Sequence, residues 1–516
     1  MVRRWSTEPM SRRRVQRSYE LTRRLPGRSG SCLGILTLAP RNRQPSPIWR
    51  EHRDTPAPRR RFQHQPVPAR LQVVQPVLHA LLGRRALGAL CRGPDLVGAA
   101  REHAAAVVQQ LVDGHAGEVA DSARHAGDFG VKAEFHSMDM LAVNAYKDGV
   151  ISKLHKGLQG LVKSRNITFV EGHGKLVSKN TVEVNGQKYV GKNLILATGS
   201  YPKTLPGLAI DGKTIVTSEE AMSFTHVPKS VIVLGGGVIG CEFASVWKSF
   251  GAEVTIIEAL PHLVALEDES SSKQLERAFR KRGINFELGT KFASATKNAT
   301  GVEVTLEDGK KFSAEVLLVA VGRGPVSAQL GFEEQGITMD RGYVIVDEKC
   351  RTNVPGIWAV GDLIPTLQLA HVGFAEGIMV AEEIAGLNPR TINYDGIPRV
   401  TYSEPEVASV GLSTAQAKAK GHDVVELNYD LAGNGKAQIL KTAGSVKLVA
   451  AKNGPILGIH MVGARVGELL AEAQLIYNWE AEAVDVAQFI HAHPTLSEAM
   501  GEAHLALAGK PLHAHG

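Results

Sequence analysis

The chain has 516 residues, of which 43% are hydrophobic, so it can bury several cores and form roughly three or four domains. No stretch reaches the ~18 apolar residues that a membrane span needs. Its four cysteines are too few and too scattered for a disulfide framework or a zinc site. We therefore expect a cytoplasmic protein in a reducing compartment, without a membrane partner.

Residues 1–114 differ in charge from the rest of the chain. They contain 21 Arg, no Lys and 7 acidic residues, a balance of +14, whereas the remaining 402 residues carry −7. Eleven of the 24 prolines also lie here, and no helical or strand period is sustained before about residue 100. A targeting peptide and a nucleic-acid arm are alternatives, but the stretch is long for the first and lacks interleaved aromatic residues for the second. We predict no nucleic-acid partner, and a segment outside the fold that is disordered or misread.

Helix and strand patterns begin at about His115. Apolar residues recur at helical spacing in "AGEVADSARHAGDFGV" and in "MLAVNAYKDGVISKLHKGLQGLVKSRN". Two β-like runs follow, "ITFVEG" and "TVEVNG", and the Asn-Gly pair that ends the second predicts a hairpin turn. The next predicted strand, "NLILATGS", contains Gly199, which permits a tight exit.

A glycine motif follows the apolar strand of residues 231–234. It has the form Gly235-x-Gly237-x-x-Gly240 and opens an amphipathic helix that is predicted to end at about Phe250. Gly235 would make the turn, Gly237 would let the backbone approach a diphosphate, and Gly240 would let the helix pack on the strand. The pattern predicts a dinucleotide-binding βαβ unit. The alternative is a glycine-rich turn that packs tightly without a ligand.

The second strand of this unit, "EVTIIE", ends on Glu258. A carboxylate about 20 residues after the motif accepts hydrogen bonds from a ribose 2′-hydroxyl and repels a 2′-phosphate. The helix N-terminus attracts the diphosphate. The sequence therefore favours NAD over NADP.

Two later loops have the pattern of cofactor contacts. The first, "LLVAVGRGP", is a buried strand predicted to end at Gly322. The second, "TNVPGIWAVGDLIPTLQLAHVGFAEG", is a strand that delivers Gly361 and Asp362 to a crevice before a helix. An acid at the carboxyl end of such a strand can bind a cofactor's sugar hydroxyls. Taken alone, Asp362 is more often a helix N-cap.

The stretch "HAHPTLSEAM" near the end of the chain contains His491, His493 and Glu498. A histidine ring that is oriented by a carboxylate can carry protons near neutral pH. Taken alone, a His-Pro pair in a loop is more often structural.

From about His115 to Gly516 the chain resembles the dihydrolipoyl dehydrogenases of the pyridine nucleotide-disulfide oxidoreductase family. The resemblance is carried, in the family's order, by "ILATGS", "LGGGVIGCEF", "VAVGRGP", "TNVPGIWAVGD", "LQLAHVGFAEG", "PRVTYSEPEVASVG" and "HAHPTLSEA". It implies an α/β fold with two nested dinucleotide-binding (Rossmann-like) domains, the first incomplete, and an α+β C-terminal dimerisation domain. The implied segments are FAD-binding residues 115–225, NAD-binding residues 226–325, the rest of the FAD and central domain at 326–395, and the dimerisation domain at 396–516.

The resemblance also implies site residues and partners. The implied FAD contacts are Gly174, Thr198, Gly199, Ser200, Asp362, Gln368, Leu369, Ala370 and His371. The implied NAD contacts are Gly235, Gly236, Gly237, Val238, Ile239, Gly240, Glu242, Glu258 and Gly322. His493 would be the acid–base of the other subunit's site in a homodimer, and Glu498 would orient its ring. The implied reaction converts dihydrolipoamide and NAD⁺ to lipoamide and NADH, and the implied partner is the lipoyl domain of a 2-oxo acid dehydrogenase or glycine cleavage complex.

The chain departs from the family pattern before residue 115. The family has a first Gly-x-Gly-x-x-Gly loop for FAD and a Cys-x-x-x-x-Cys redox pair followed by a Lys that faces the position of Glu242. Residues 1–114 contain neither motif, and Cys32 and Cys91 are 59 positions apart. We therefore expect little or no lipoamide turnover from this chain. The alternatives are a flavin-dependent transhydrogenase, which needs no disulfide, and a non-catalytic, dimerising NAD-binding remnant.

Overall fold

The computed structural model describes the backbone of residues 90–92 and the whole of residues 112–513. These residues belong to the second of two compact units, which spans residues 66–516. Most of residues 1–114 lie outside the described residues. The predictions made for that part, including the missing redox pair and FAD loop, therefore lie outside them too.

The strands of the described residues are, in chain order, β1 (Leu90–Arg92), β2 (Phe169–Glu171), β3 (Gly174–Ser178), β4 (Thr181–Val184), β5 (Gln187–Val190), β6 (Leu194–Leu196), β7 (Ser200–Pro202), β8 (Ile215–Val216), β9 (Ser230–Leu234), β10 (Glu253–Glu258), β11 (Ile284–Leu288), β12 (Phe292–Asn298), β13 (Gly301–Leu306), β14 (Lys311–Ala314), β15 (Val316–Val319), β16 (Arg323–Pro325), β17 (Met339–Asp340), β18 (Tyr343–Val344), β19 (Ile357–Ala359), β20 (Arg399–Thr401), β21 (Glu406–Gly411), β22 (Val424–Asp430), β23 (Ser445–Ala451) and β24 (Ile456–Gly463).

The α-helices of the same residues are α1 (residues 112–124), α2 (Met140–Ser164), α3 (Ser218–Ala221), α4 (Val238–Phe250), α5 (Glu269–Arg282), α6 (Ala370–Ile384), α7 (Thr414–Ala419), α8 (Gly435–Leu440), α9 (Val466–Asn478), α10 (Ala483–Val486) and α11 (Glu498–Leu507). Within residues 90–92 and 112–513, none of these helices combines the length and the apolar character that crossing a membrane requires.

A parallel sheet of order β11-β10-β9-β15-β8 forms the centre of the dinucleotide-binding unit. Its strands β9 and β15 are continuous apolar runs because both faces of the sheet are covered. One face packs against α4 and α5, and the other packs against the antiparallel sheet β12-β13-β14. The edge strand β8 precedes residue 226, where the sequence places the start of this domain.

Short sheets lie on either side of that unit in the chain. Strand β6 pairs in parallel with β19, and β7 pairs antiparallel with β16. In the hairpin β4–β5, Asn185 and Gly186 have φ angles of 52° and 78°, which confirms the predicted Asn-Gly turn. The long helix predicted over "MLAVNAYKDGVISKLHKGLQGLVKSRN" is also present, as α2.

Two short pieces of residues 1–114 do join this fold. Strand β1 pairs in parallel with β2, and Asp113 in α1 forms a buried ion pair with Lys147, with 3.2 Å between Nζ and Oδ2. The prediction that the stretch lies outside the fold is therefore wrong for these residues. A strand of three residues is too short to show a period in the sequence, so the pattern could not reveal it.

The C-terminal part is an antiparallel sheet of order β20-β21-β24-β23-β22 with α9 and α11 packed on it. All eight residues of its central strand β24 are buried. The loop between α10 and α11 carries His491 and His493.

Candidate active site

The turn between β9 and α4 has the geometry of a diphosphate-binding loop. Gly235 has a φ of 112°, and a Cβ there would lie 2.4 Å from the carbonyl oxygen of Ala320. A Cβ on Gly240 would lie 1.9 Å from the carbonyl oxygen of Gly235. Only glycine therefore fits either position. By contrast, a Cβ on Gly237 would meet nothing within 4 Å, and no side chain caps α4 at this residue. The amides of the first turn of α4, including those of Val238 and Ile239, therefore lie at an open helix N-terminus that suits a phosphate.

Glu258 lies at the end of β10, against this turn. Its carboxylate accepts the N–H of Gly236 at 2.5 Å and the N–H of Leu260 at 2.8 Å. These two bonds hold the carboxylate at the mouth of the glycine loop. Its negative charge suits a ribose hydroxyl and opposes a phosphate.

Gly322 lies three residues beyond the end of β15, in the loop to β16. Its φ is 107° and a Cβ there would meet nothing within 4 Å. The sequence pattern predicted that the buried strand ends at Gly322, but the strand ends at Val319. The loop exposes Gly322 beside the dinucleotide fingerprint, because Ala320 contacts Gly235.

Glu242 is a buried carboxylate on α4, with 6% of its surface exposed. It accepts the N–H of Tyr402 at 2.7 Å. Burial raises the pKa of Glu242 to about 7, although the Tyr402 N–H acts in the opposite direction. The structure thus gives it a backbone donor, directly after β20, as its partner.

The proposed flavin contacts converge from several segments. Thr198 donates a hydrogen bond to the carbonyl of Val326. The carbonyl of Gly199, which has a φ of 73°, accepts the N–H of Val326 at 2.9 Å. Ser200 follows at the start of β7 and donates to Asp362 Oδ2 at 2.5 Å. Gly174 is the half-buried first residue of β3.

Asp362 lies inside a single 3₁₀ turn, Gly361–Leu363, directly after β19. The residue that caps this turn is Val360, and the cap of α6 is Leu369. The N-cap alternative for Asp362 is therefore wrong, because the chain forms a short turn between the strand and the long helix.

The start of α6 completes the flavin side. The Nε2 atom of Gln368 is buried and has no hydrogen-bond partner within the described part of the chain. No side chain caps the helix at Leu369, so the amides of Ala370 and His371 in its first turn are open. His371 Nε2 donates a hydrogen bond to the carbonyl of Pro398 at 2.9 Å. An orphaned amide donor beside an uncapped helix N-terminus suits a ligand rich in acceptor oxygens, so these residues fit FAD.

His493 and Glu498 form the predicted pair. His493 Nδ1 lies 2.8 Å from Glu498 Oε1, and the other oxygen of Glu498 accepts the N–H of Thr495 at 2.7 Å. Burial raises the pKa of Glu498, but the Thr495 N–H and the His493 ring lower it by more, so it lies below its ordinary value. Asn434 donates to the carbonyl of Thr495 at 3.0 Å and anchors the loop. The imidazole itself is 77% exposed.

Two polar residues contact the predicted flavin segments but were not predicted from the sequence. Arg323 donates to Ser200 from its Nε and Nη2 atoms, at 2.7 and 2.8 Å. Glu376 is fully buried and accepts the N–H of Gly361 at 2.6 Å. Both lie inside sequence blocks that carry the family resemblance, and a charged residue amid apolar neighbours was the available indication. Their partners are 123 and 15 residues away in the sequence.

The chain is similar to known proteins over most of its length. The pattern of the family described as pyridine nucleotide-disulphide oxidoreductase matches residues 96–377, and that of the family's dimerisation domain matches residues 397–504. A dihydrolipoyl dehydrogenase of Bacillus subtilis is 39% identical over 416 residues, which cover 77% of this chain and 88% of the relative. One of Cupriavidus necator is 39% identical over 399 residues, covering 75% of this chain and 84% of the relative.

Two solved structures share the fold. The structure of LpdA from Mycobacterium tuberculosis has a TM-score of 0.75 at 24% identity, over 84% of this chain and 97% of that chain. The HOCl-induced flavoprotein disulfide reductase RclA of Escherichia coli has a TM-score of 0.69 at 23% identity, over 77% of this chain and 89% of that chain.

The fold and site thus define an oxidoreductase of the flavoprotein class. The chain belongs to the pyridine nucleotide-disulphide oxidoreductase family. The α/β fold expected from the sequence is confirmed, the family implies FAD and NAD(H) as cofactors, and the C-terminal domain supports a homodimer.

Proposed function

We propose that the chain carries dihydrolipoyl dehydrogenase machinery: oxidation of the dithiol of dihydrolipoamide, with NAD⁺ as the final acceptor. The observation that carries the proposal is the bond between His493 and Glu498, because a base of this kind serves dithiol chemistry. The names of the relatives, dihydrolipoyl dehydrogenases over 88% and 84% of their length, support the same substrate.

His493 would hold the proton that leaves the substrate thiol. A carboxylate only accepts hydrogen bonds, so the bond to Glu498 places the hydrogen of the neutral ring on Nδ1 and leaves Nε2 to accept a proton. The thiolate that results is the form that attacks a disulfide. Because His493 is exposed, it would act on a site supplied from outside its own loop, such as the partner subunit in the homodimer.

FAD, when bound, supplies the electron transfer between the dithiol side and NAD⁺. We assign its binding to the Thr198–Ser200 segment, Asp362 and the start of α6. The other residues named for FAD above belong to the same assignment. To NAD we assign the glycine loop, Glu242, Glu258 and Gly322. The carboxylate of Glu258 supports NAD over NADP.

Oxidation of the dithiol by this route also needs a redox disulfide. Cys241 and Cys350 are both buried and unpaired, and burial raises the pKa of each, that of Cys350 to about 12. Neither is therefore a reactive thiolate near neutral pH. With no Cys-x-x-x-x-Cys pair in the sequence, we propose that the chain turns over little or no lipoamide as written.

A second candidate function is favoured by the same cysteines. A flavin-dependent transhydrogenase moves a hydride between nicotinamides and needs no disulfide, so buried and unreactive thiols do not impair it. A non-catalytic, dimerising NAD-binding remnant is the third possibility.

The proposal includes partners and a location. The lipoyl domain of a 2-oxo acid dehydrogenase or glycine cleavage complex would present the substrate dithiol, as the function of the relatives suggests. A cytoplasmic location is supported by the two described cysteines, which remain free thiols.

Purification of the full chain with added FAD and NAD(H) tests the proposal. We expect visible flavin absorption, NADH binding by calorimetry, a dimer by light scattering, and little or no NAD⁺ reduction by dihydrolipoamide. Hydride exchange between NADH and a nicotinamide analogue would establish the second candidate. NADH binding without flavin would leave only the remnant, and rapid dihydrolipoamide oxidation would overturn the proposed defect.

A further inference from the structure

Arg323 connects the two proposed nucleotide sites. It directly follows Gly322, the proposed NAD contact, and begins strand β16. That strand pairs antiparallel with β7, so Pro325 lies opposite Ser200 and Arg323 lies opposite Pro202. One short sheet therefore joins the β15–β16 loop, which carries Gly322, to Ser200.

The guanidinium of Arg323 holds Ser200 at two points. Nε donates to the hydroxyl oxygen of Ser200 at 2.7 Å and Nη2 donates to its carbonyl oxygen at 2.8 Å. The same hydroxyl donates to Asp362 Oδ2 at 2.5 Å. Ser200 and Asp362 are 1% and 6% exposed, so water does not replace these partners readily.

The chemistry of the guanidinium fixes the direction of this relay. Arginine has donors and no acceptor, so a Ser200 hydroxyl that faces it must accept there and direct its own hydrogen elsewhere. The hydrogen points to Asp362, and the Ser200 carbonyl bond prevents the backbone from turning away. The carboxylate is thus oriented from a strand 162 residues away from it in the sequence.

We infer that Arg323 is a positioning residue, which orients Ser200 and Asp362 toward the polyhydroxyl part of the flavin and ties them to the β15–β16 loop that carries Gly322. The inference rests on the proposed FAD binding. Lysine cannot replace Arg323, because an ammonium group does not reproduce the planar fork that reaches two oxygens of one residue.

The test measures FAD and NADH dissociation constants of the flavin-free full chain, by fluorescence, for wild type and for Arg323→Ala, Arg323→Lys and Ser200→Ala. Arg341→Ala is the matched control, because that side chain is 87% exposed and its ion pair is with its own neighbour Asp340. We expect FAD binding to weaken roughly 10- to 100-fold in Arg323→Ala, as for a lost charged hydrogen bond, and roughly 10-fold in Arg323→Lys. The control should match wild type.

Chemical rescue separates positioning from a general structural role. Millimolar guanidinium ion should restore FAD binding to Arg323→Ala and leave Ser200→Ala unchanged, since the latter lacks the hydroxyl of the relay. A wild-type chain that binds NADH without FAD would overturn both the proposed flavin site and this inference. FAD binding that is equal in wild type and both Arg323 variants, or a loss in Arg323→Ala that guanidinium does not reverse, would overturn the inference alone. Should Arg323→Ala not fold, the Arg323→Lys constant decides between the two outcomes.

Discussion

The proposed NAD loop and the proposed flavin side suit similar ligands but are built differently. The NAD loop is contiguous: strand, glycine turn, helix and acid all lie within residues 230–258. The proposed flavin contacts come from four stretches, near residues 174, 198–200, 362 and 368–371, and the long-range bond from Ser200 to Asp362 joins two of them. A contiguous motif sets its geometry through local sterics. An assembled site depends on every element that carries one of its parts.

The largest expected effect tests the dependence of the assembled site on distant sequence. In a chimera that replaces residues 1–114 with an intact family N-terminus, lipoamide turnover should appear. There, His493→Ala should lower kcat/KM by roughly 10²- to 10⁴-fold, as is usual for a lost general base. Steady-state kinetics measure both effects.

His513 offers a matched control for that variant. Its ring also contacts a carboxylate, with 2.9 Å from Nδ1 to Glu502, and it is 64% exposed. His513→Ala should keep the chimera's rate. An equal loss in both variants would show that His493 has no special role.

The next effect tests whether the unit of residues 230–258 depends on the rest of the chain, because Glu242 on α4 accepts the N–H of Tyr402, which directly follows β20. The folded pKa of about 7 lies above the ordinary 4.5. Between these pH values only the folded state keeps the proton, so stability falls as pH rises through this window. The loss is about 3 kcal/mol by pH 8.

Glu242→Gln should remove that pH dependence while its amide oxygen still accepts the Tyr402 N–H. Denaturant unfolding at pH 5 and pH 8 measures it, and we expect the variant to gain stability relative to wild type only at pH 8. Glu253→Gln, at an exposed position of β10, is the control. Identical pH profiles for wild type and Glu242→Gln would contradict the prediction.

An effect of similar size tests the local part of the comparison. Gly240→Ala places a Cβ 1.9 Å from the Gly235 carbonyl oxygen, so α4 must move away from β9. We expect a loss of about 3 kcal/mol, the upper end of overpacking costs, together with weaker NADH binding by calorimetry. Gly149→Ala in α2, where a Cβ meets nothing within 4 Å, should gain about 0.5 to 1 kcal/mol instead. Unchanged NADH binding by Gly240→Ala would show that the close approach is not needed.

The smallest effect concerns the choice of nucleotide. A 2′-phosphate beside Glu258 should cost on the order of 1 to 3 kcal/mol in a partly solvated site. Calorimetry should therefore show tighter binding of NADH than of NADPH, with the difference reduced in Glu258→Gln. Equal affinities in wild type would reject the preference.

The sequence alone determined the contiguous features. The βαβ unit with Gly235, Gly240 and Glu258 follows from apolar period and glycine spacing, and the structure has its helix end at Phe250, as predicted. The pairing of His493 with Glu498 needed only five residues of separation and is present. Such features are encoded locally because neighbours in sequence are neighbours in space.

Only the tertiary structure decided the rest. It gave Glu242 a partner 160 residues away, placed Arg323 on Ser200, buried Glu376 under Gly361, and paired Leu90–Arg92 with β2. None of these contacts has a periodic sequence pattern. Each depends on how elements pack together, and the distance between two elements in space does not follow from their separation along the chain. A hydrogen bond between two buried groups is chosen by the fold as a whole, since each group must find a donor or acceptor wherever the packing places it.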